Sequence, residues 1–314
     1  MIAYVVRRLI GLVISLFLVS ILVFLAMRVL PGDPAQVMLG MEAEPETLAR
    51  LRQDLGLDRP LPVQYAAWAR GFLTGDLGES LQYGVPIGEL VASRLAVTVP
   101  LAGLAVAIAV LIGIPLGLFA ATRRGRPGDY GVMLLSQVGL AVPAFWLGIL
   151  LILVFAVRLG WFSSGGFVPW SESALGAVRS LFLPALALGA IRAAVVARLS
   201  RAAMLDVLHQ DYLRTARGKG LSERVVLWKH ALRNALLPVV TSVGMQFAAL
   251  LAGTIIIENV FYLPGLGRFA FQAISQRDLP VVQDIVLLLA ALVVGVNLLV
   301  DLGCALLDPR VRLE

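Results

Sequence analysis

Few side chains in this sequence are of a kind that makes or breaks bonds. There is no Walker lysine motif and no His-Glu-x-x-His pair, and the two histidines, His209 and His230, both lie in one basic stretch. His230 beside Lys229 reads as a helix-surface residue rather than a metal ligand. A lone Cys304 in an apolar run excludes an intramolecular disulfide framework and a cysteine-based zinc site. What remains is a set of polar residues inside long apolar runs: Gln137, Thr241, Gln246, Asn297 and Asp301. Asn297 and Asp301 are four apart, so they share a helix face. Groups so placed either hydrogen-bond between helices or meet a ligand in passage. Asp301 stands near a run's end and is expected to pair with a basic residue there. The dense acidic or histidine relay expected of a proton-driven carrier is missing, so the energy source is expected to lie outside the chain.

The most patterned stretch runs from Arg198 to Arg233, between two apolar runs. It holds Arg198, Arg201, Arg214, Arg217, Lys219, Arg224, Lys229 and Arg233. Each such cation costs about 2.5–3.5 kcal/mol at a bilayer centre, so the stretch belongs in water, on the cytoplasmic side by the positive-inside rule. Leu205, Leu208, Tyr212 and Ala216 recur at helical spacing, with Asp206, Gln210, Arg214 and Arg217 on other faces, which predicts one amphipathic helix. Gly218-Lys219-Gly220 ends it, and Ser222 occupies the N-cap of a second helix carrying Trp228, Lys229 and His230. A helix, a glycine turn and a second helix have the shape of a plug for a groove on another protein. The alternative is a solvated basic loop near anionic lipid.

Composition sets these elements in a membrane. The 314 residues are 59% hydrophobic and 15% charged, with mean hydropathy +0.89. The net charge of +6 follows from topology and points to no nucleic-acid partner. Six spans are expected, near 9–30, 96–121, 130–157, 180–197, 235–257 and 283–306, with both termini cytoplasmic. A cleavable signal peptide is the rival for the first, but its apolar run is longer than a signal core and lacks a cleavage site. Gly103, Gly113, Pro115 and Gly117 predict close helix approach and a kink in the second span. Pro143 lies in the third span and Pro238 in the fifth.

Residues 31–95 are the largest polar segment, with acidic excess that suits the outer face. Short helices are expected from Pro45 and over Val63–Phe72, the latter with Tyr65 and Trp68 at the membrane interface; the alternative is a disordered loop. Trp161 and Trp170 are further expected interface anchors, in the outer loop 158–178. Residues 258–280 form an outer connection with the turn Leu263-Pro264-Gly265-Leu266-Gly267. The organisation is thus 1–30, insertion 31–95, helical core 96–306 with loop 198–233, and tail 307–314.

Several stretches together resemble one family. They are Leu30-Pro31-Gly32-Asp33-Pro34, Leu55-Gly56-Leu57-Asp58-Arg59-Pro60 and Gly75-Asp76-Leu77-Gly78-Glu79-Ser80. Further along come the run Gln210 to Leu221, Arg233-Asn234-Ala235-Leu236-Leu237-Pro238, Phe261-Tyr262-Leu263-Pro264-Gly265-Leu266-Gly267 and Leu307-Asp308-Pro309-Arg310. In this order they resemble the permease subunits of bacterial ATP-binding-cassette importers of the dipeptide, oligopeptide and nickel family. The match covers essentially the whole chain.

That resemblance implies an all-α polytopic membrane protein with the type I importer permease fold. It implies a non-enzymatic subunit in the bacterial inner membrane, forming half of a translocation pathway for peptides, with nickel or glutathione as alternative cargo. Implied partners are a second homologous permease, two ATP-binding subunits and an extracytoplasmic binding protein. This chain would hold no cofactor, ATP and magnesium belonging to the ATP-binding subunits. The cytoplasmic loop would carry the coupling helix, with Asp211, Tyr212, Arg214, Thr215, Ala216, Arg217, Gly218, Lys219 and Gly220 as its contact region. The broad importer pattern begins Glu-Ala-Ala with a glycine four residues after the second alanine; here Arg214-Thr215-Ala216 and Gly220 take those places, without the acidic residue. Gln137, Thr241, Gln246 and Asn297 are the pathway candidates. An ion-coupled secondary carrier and a membrane receptor or scaffold are the rival classes.

Overall fold

The computed structural model of the chain describes residues 2–29, 35–36, 44–54 and 56–307. The stretches Leu30 to Pro34 and Asp308 to Glu314, singled out above, lie outside the described residues. The helices are α1 (Ile2–Val29), α2 (Pro45–Asp54), α3 (Leu61–Thr74), α4 (Ile87–Thr122), α5 (Pro127–Ala141) and α6 (Ala144–Arg158). There follow α7 (Ala174–Leu208), α8 (Asp211–Gly218), α9 (Glu223–Gly253), α10 (Ile255–Val260), α11 (Leu266–Ser275) and α12 (Leu279–Leu307). Segments Ile152–Arg158 of α6 and Val226–Ala231 of α9 are wound as π-helix. Among the described residues the one β-type contact is an isolated bridge between Glu79 and Pro86.

Five helices, α1, α4, α7, α9 and α12, are long and apolar enough to cross a membrane. The span expected over 130–157 is not a single helix: α5 and α6 meet at 98°. The cause is local. Pro143 lacks an N–H and pushes the residue before it out of helical geometry, and Val142 sits at φ −80°, ψ 124°.

The bent pair still makes one passage. At its start Asp129 pairs with Arg201 of α7, and beyond its end the Val168 N–H donates to Ser180 Oγ near the other end of α7. Those two α7 residues are 21 positions apart, about 31 Å along a helix. One end of the bundle thus gathers 123–129 and the basic stretch, with Arg8 of α1 bound to Asp301 of α12 at 3.0 Å. The far end gathers 161–173, 254–284 and residues 61–95 of the insertion, tied by Trp170 Nε1–H to the Ala96 carbonyl and Gly166 N–H to the Phe261 carbonyl.

The core is built on α4 against α7. Leu101, Ala105, Leu181 and Leu188 interlock with Leu250 of α9 and Phe261. A Cβ at Gly113 would meet Val196 Cβ at 2.7 Å and the Ala193 carbonyl at 2.8 Å, so the helices pass at glycine distance here. Gly103, expected to serve the same way, faces open space. The kink expected at Gly113–Pro115 does not break α4, which runs as one helix from Ile87, earlier than the expected 96. Its 36 residues extend to about 54 Å, well beyond a hydrocarbon core of about 30 Å.

Tyr65 and Trp68 of α3 turn inward rather than toward the membrane interface. Tyr65 Oη shares a 2.8 Å hydrogen bond with Ser20 Oγ of α1, and Trp68 Nε1–H donates to Asp284 Oδ1 at 2.7 Å. Their polar tips find buried partners on α1 and α12, a better outcome for these amphipathic rings than a headgroup boundary.

Candidate functional site

The residues 209–222 connect α7 to α9 at the basic end. The expected single helix over 205–216 is interrupted at His209–Gln210, and α8 restarts at Asp211. The break resets the helical phase. Leu213 (0% exposed) and Ala216 therefore face the bundle, packing with Met204, Val226, Ala231 and Leu118, while Tyr212 lies at the edge. Asp211, Arg214, Thr215, Arg217, Gly218, Lys219 and Gly220 form the exposed side.

Three sets of bonds fix the segment. Gly220, at φ +79°, makes the turn that closes α8, a conformation costly for residues with a Cβ. Arg217 donates twice to the Glu223 carboxylate, from Nε at 3.1 Å and from an Nη at 2.9 Å, clamping the turn; this bonding holds the Arg217 guanidinium above its ordinary pKa. The Tyr212 hydroxyl donates to the His230 carbonyl at 3.3 Å and accepts from Asn234 Nδ2 at 2.7 Å, joining α8 to the first turns of α9. Ser222 stands at the N-cap of α9 but its hydroxyl makes no capping bond. Beside the exposed polar side lie Leu221, Val225 and Trp228, the last 59% exposed.

Near the C-terminal end of α7, Arg201 grips Asp129, Nε to Oδ1 at 2.5 Å and Nη2 to Oδ2 at 2.7 Å, while the Gly125 N–H donates to the same carboxylate. The short arginine loop at 123–126 and the root of the connecting segment are therefore one rigid piece.

The four pathway candidates are dispersed. Gln137 on α5 and Asn297 on α12 are exposed on the chain, Thr241 bonds Cys304 Sγ at 2.9 Å, and Gln246 is buried with its Oε1 unpartnered. Sequence reasoning missed three buried acids at the far end. Glu258, fully buried, accepts from Thr98 Oγ1 and Thr254 Oγ1 at 2.7 Å each and from the Arg268 N–H at 2.8 Å. Asp278 accepts from Ser80 Oγ and two insertion amides, and Asp284 from Trp68. A cavity of about 310 Å³ lies beside Asp284, lined by Arg28, Arg59, Gln64 and Trp68 among others. The signal for Glu258 was Gly265: its position is filled by the Glu258 carboxyl, leaving no room for a side chain.

Residues 113–313 match the family model of the binding-protein-dependent transport system inner membrane component, and residues 1–102 match the model of the N-terminal part of such membrane components. The chain belongs to this family.

The permease is 47% identical over 314 residues, all of both chains, to a Brucella abortus protein whose name assigns it provisionally to a peptide transport system as permease. It is 44% identical over 312 residues, 99% of each chain, to the glutathione transport system permease protein GsiC of Escherichia coli O6:H1. Its fold resembles a chain of the MetNI methionine ABC transporter in an inward-facing conformation, with TM-score 0.56 and 19% identity over 70% of this chain and 96% of that one. This protein is therefore the inner-membrane permease subunit of an ABC importer, with the all-α type I fold. ATP hydrolysis resides in another subunit, and the permease works in a complex with an ATPase and a binding protein.

Proposed function

We propose that this permease carries peptides, forming half of a translocation pathway with a second, homologous permease and coupled to two ATP-binding subunits that hold ATP and magnesium. Both termini and the segment 198–233 face the cytoplasm. The insertion 31–95 and the connection 258–280 face outward, where a binding protein delivers the cargo.

The observation that carries the coupling role is α8. Leu213 and Ala216 root it in the bundle while its other side, Arg214, Thr215, Arg217 and Lys219, is exposed. A short helix held at its base and open on its far side passes a push from a docked partner into the crossings on both sides of it. The exposed Leu221, Val225 and Trp228 add apolar area for such a partner. The peptide reading rests on the full-length relative named for peptide transport; glutathione, itself a modified tripeptide, is the second reading because the 44% identical relative is named for it.

Gly220→Val tests the coupling role. In the reconstituted importer it leaves the permease in the membrane and ATP hydrolysis running, while peptide uptake per ATP falls at least tenfold. Unchanged ATP-dependent uptake refutes the role. Uptake by the permease alone under an ion gradient would instead establish a secondary carrier.

A further inference from the structure

Arg192 stands within α7, 12 residues beyond Ser180 at the far end and 6 before Arg198, where the basic stretch begins. Those separations are about 18 Å and about 9 Å along the helix, which keeps Arg192 inside the hydrocarbon layer. A cation held there costs about 2.5–3.5 kcal/mol or more unless something compensates it. A long side chain on a helix leans toward the N-terminus of that helix, which for α7 is the far end, so Arg192 leans away from the nearer, basic boundary.

The Arg192 side chain makes no hydrogen bond or ion pair among the described residues, and the residue is partly exposed on the chain. The acids of the helical core offer no relief. Asp129 is bound to Arg201, Asp301 to Arg8, Asp284 to Trp68 and Glu258 to Thr98, all toward the ends of the crossings. A second permease built on the same plan would bring its acids to the same two levels. At the depth of Arg192 the missing anion must come from elsewhere.

The helix that carries it is the most enclosed of the five straight crossings. Ala193, Ala194, Val196, Ala197 and Ser200 are buried against its neighbours, and Arg192, Val195 and Arg198 lie on the strip left open.

We propose that Arg192 lines the translocation pathway and binds the carboxylate of the passing cargo, making this importer selective for cargo with a free carboxylate. Guanidinium and carboxylate match as a two-pronged pair, strong enough to offset dehydration and, with one prong open to water, weak enough to release. The proposal rests on the peptide reading above, since a peptide brings that carboxylate.

The test uses the complete reconstituted importer with its binding protein, measuring ATP-driven uptake of dialanine and, separately, of glutathione. Arg192→Gln lowers the uptake rate at saturating cargo at least tenfold, while binding-protein-stimulated ATP hydrolysis stays within twofold; Arg192→Lys retains a third or more of the rate. Unchanged uptake in Arg192→Gln overturns the proposal. So does loss of assembled complex in both variants, which would make the arginine a structural partner of another subunit. Wild-type import of glutathione but not dialanine counts against the dialanine cargo alone, and the Arg192 comparison is then read with glutathione. A wild-type importer that moves neither overturns the peptide reading and the proposal with it.

Discussion

Thr98 and Glu258, 160 residues apart in the chain, share a 2.7 Å hydrogen bond at a point where neither is more than 1% exposed. Thr98 in turn accepts from the Leu266 N–H at 2.8 Å. One carboxyl group thus ties α4, the α9–α10 break and the N-terminus of α11. Three donors and the N-terminus of α11 face its oxygens, so the burial leaves no acceptor stranded.

Glu258→Ala strands those donors, the fixed Arg268 N–H above all, at about 1–3 kcal/mol for each one left unpaired. Thermal unfolding of the purified permease in detergent should drop by many degrees. Glu258→Gln, with the same volume and one acceptor, should lie between the two. Equal melting of the alanine variant and the wild type would show that the network carries no weight.

The Asp129–Arg201 pair offers a cleaner separation of charge from shape, since the two side chains are 4% and 24% exposed. Breaking it with Asp129→Asn or Arg201→Ala should cost about 3 kcal/mol, because the surviving group keeps its burial without its partner. Combining Asp129→Leu with Arg201→Met in one chain should recover most of that loss, read again as the midpoint of thermal unfolding.

Tyr212→Phe removes two hydrogen bonds to α9 and little else. At about 1 kcal/mol each, their loss loosens α8 from the crossing it adjoins. Peptide uptake per ATP should fall roughly threefold to tenfold in proteoliposomes, with the amount of assembled importer unchanged. A uniform loss of ATP hydrolysis and uptake together would place Tyr212 in docking rather than transmission.

Gly113→Val drives a branched side chain into Val196 and the Ala193 carbonyl. Overpacking of this kind costs about 1–3 kcal/mol. Gly103→Val, which meets open space, should cost only the change in helix propensity, so the two variants should differ clearly in the yield of folded permease.

The crossings and the basic connection were legible because hydropathy and charge are local properties. The turn at Gly220 was legible because few residues other than glycine take its backbone angle. The phase of α8 was not: Leu205, Leu208, Tyr212 and Ala216 fit one helix on paper, and only the break at His209–Gln210 moves Leu213 into the core. Tyr65 and Trp68 looked like boundary residues because their partners, Ser20 and Asp284, are 45 and 216 positions away. Glu258 looked like an outer-loop charge for the same reason. Arg192 was overlooked in an alanine- and valine-rich run, where one cation barely lowers the mean hydropathy.

The right-angled knee at Val142–Pro143 has a last consequence for what surrounds the permease. Gly139, just before it, would place a Cβ 3.3 Å from Ala194, four residues or about 6 Å along α7 from Arg198, so the knee lies inside the hydrocarbon layer. A helix that stops there leaves its final carbonyls without amides, and the one that restarts leaves its first amides without carbonyls. Hydrocarbon tails cannot bond either set, at several kcal/mol per orphan. The knee must therefore rest against hydrated space or a neighbouring subunit, and a lone copy of this chain surrounded by lipid is an incomplete object.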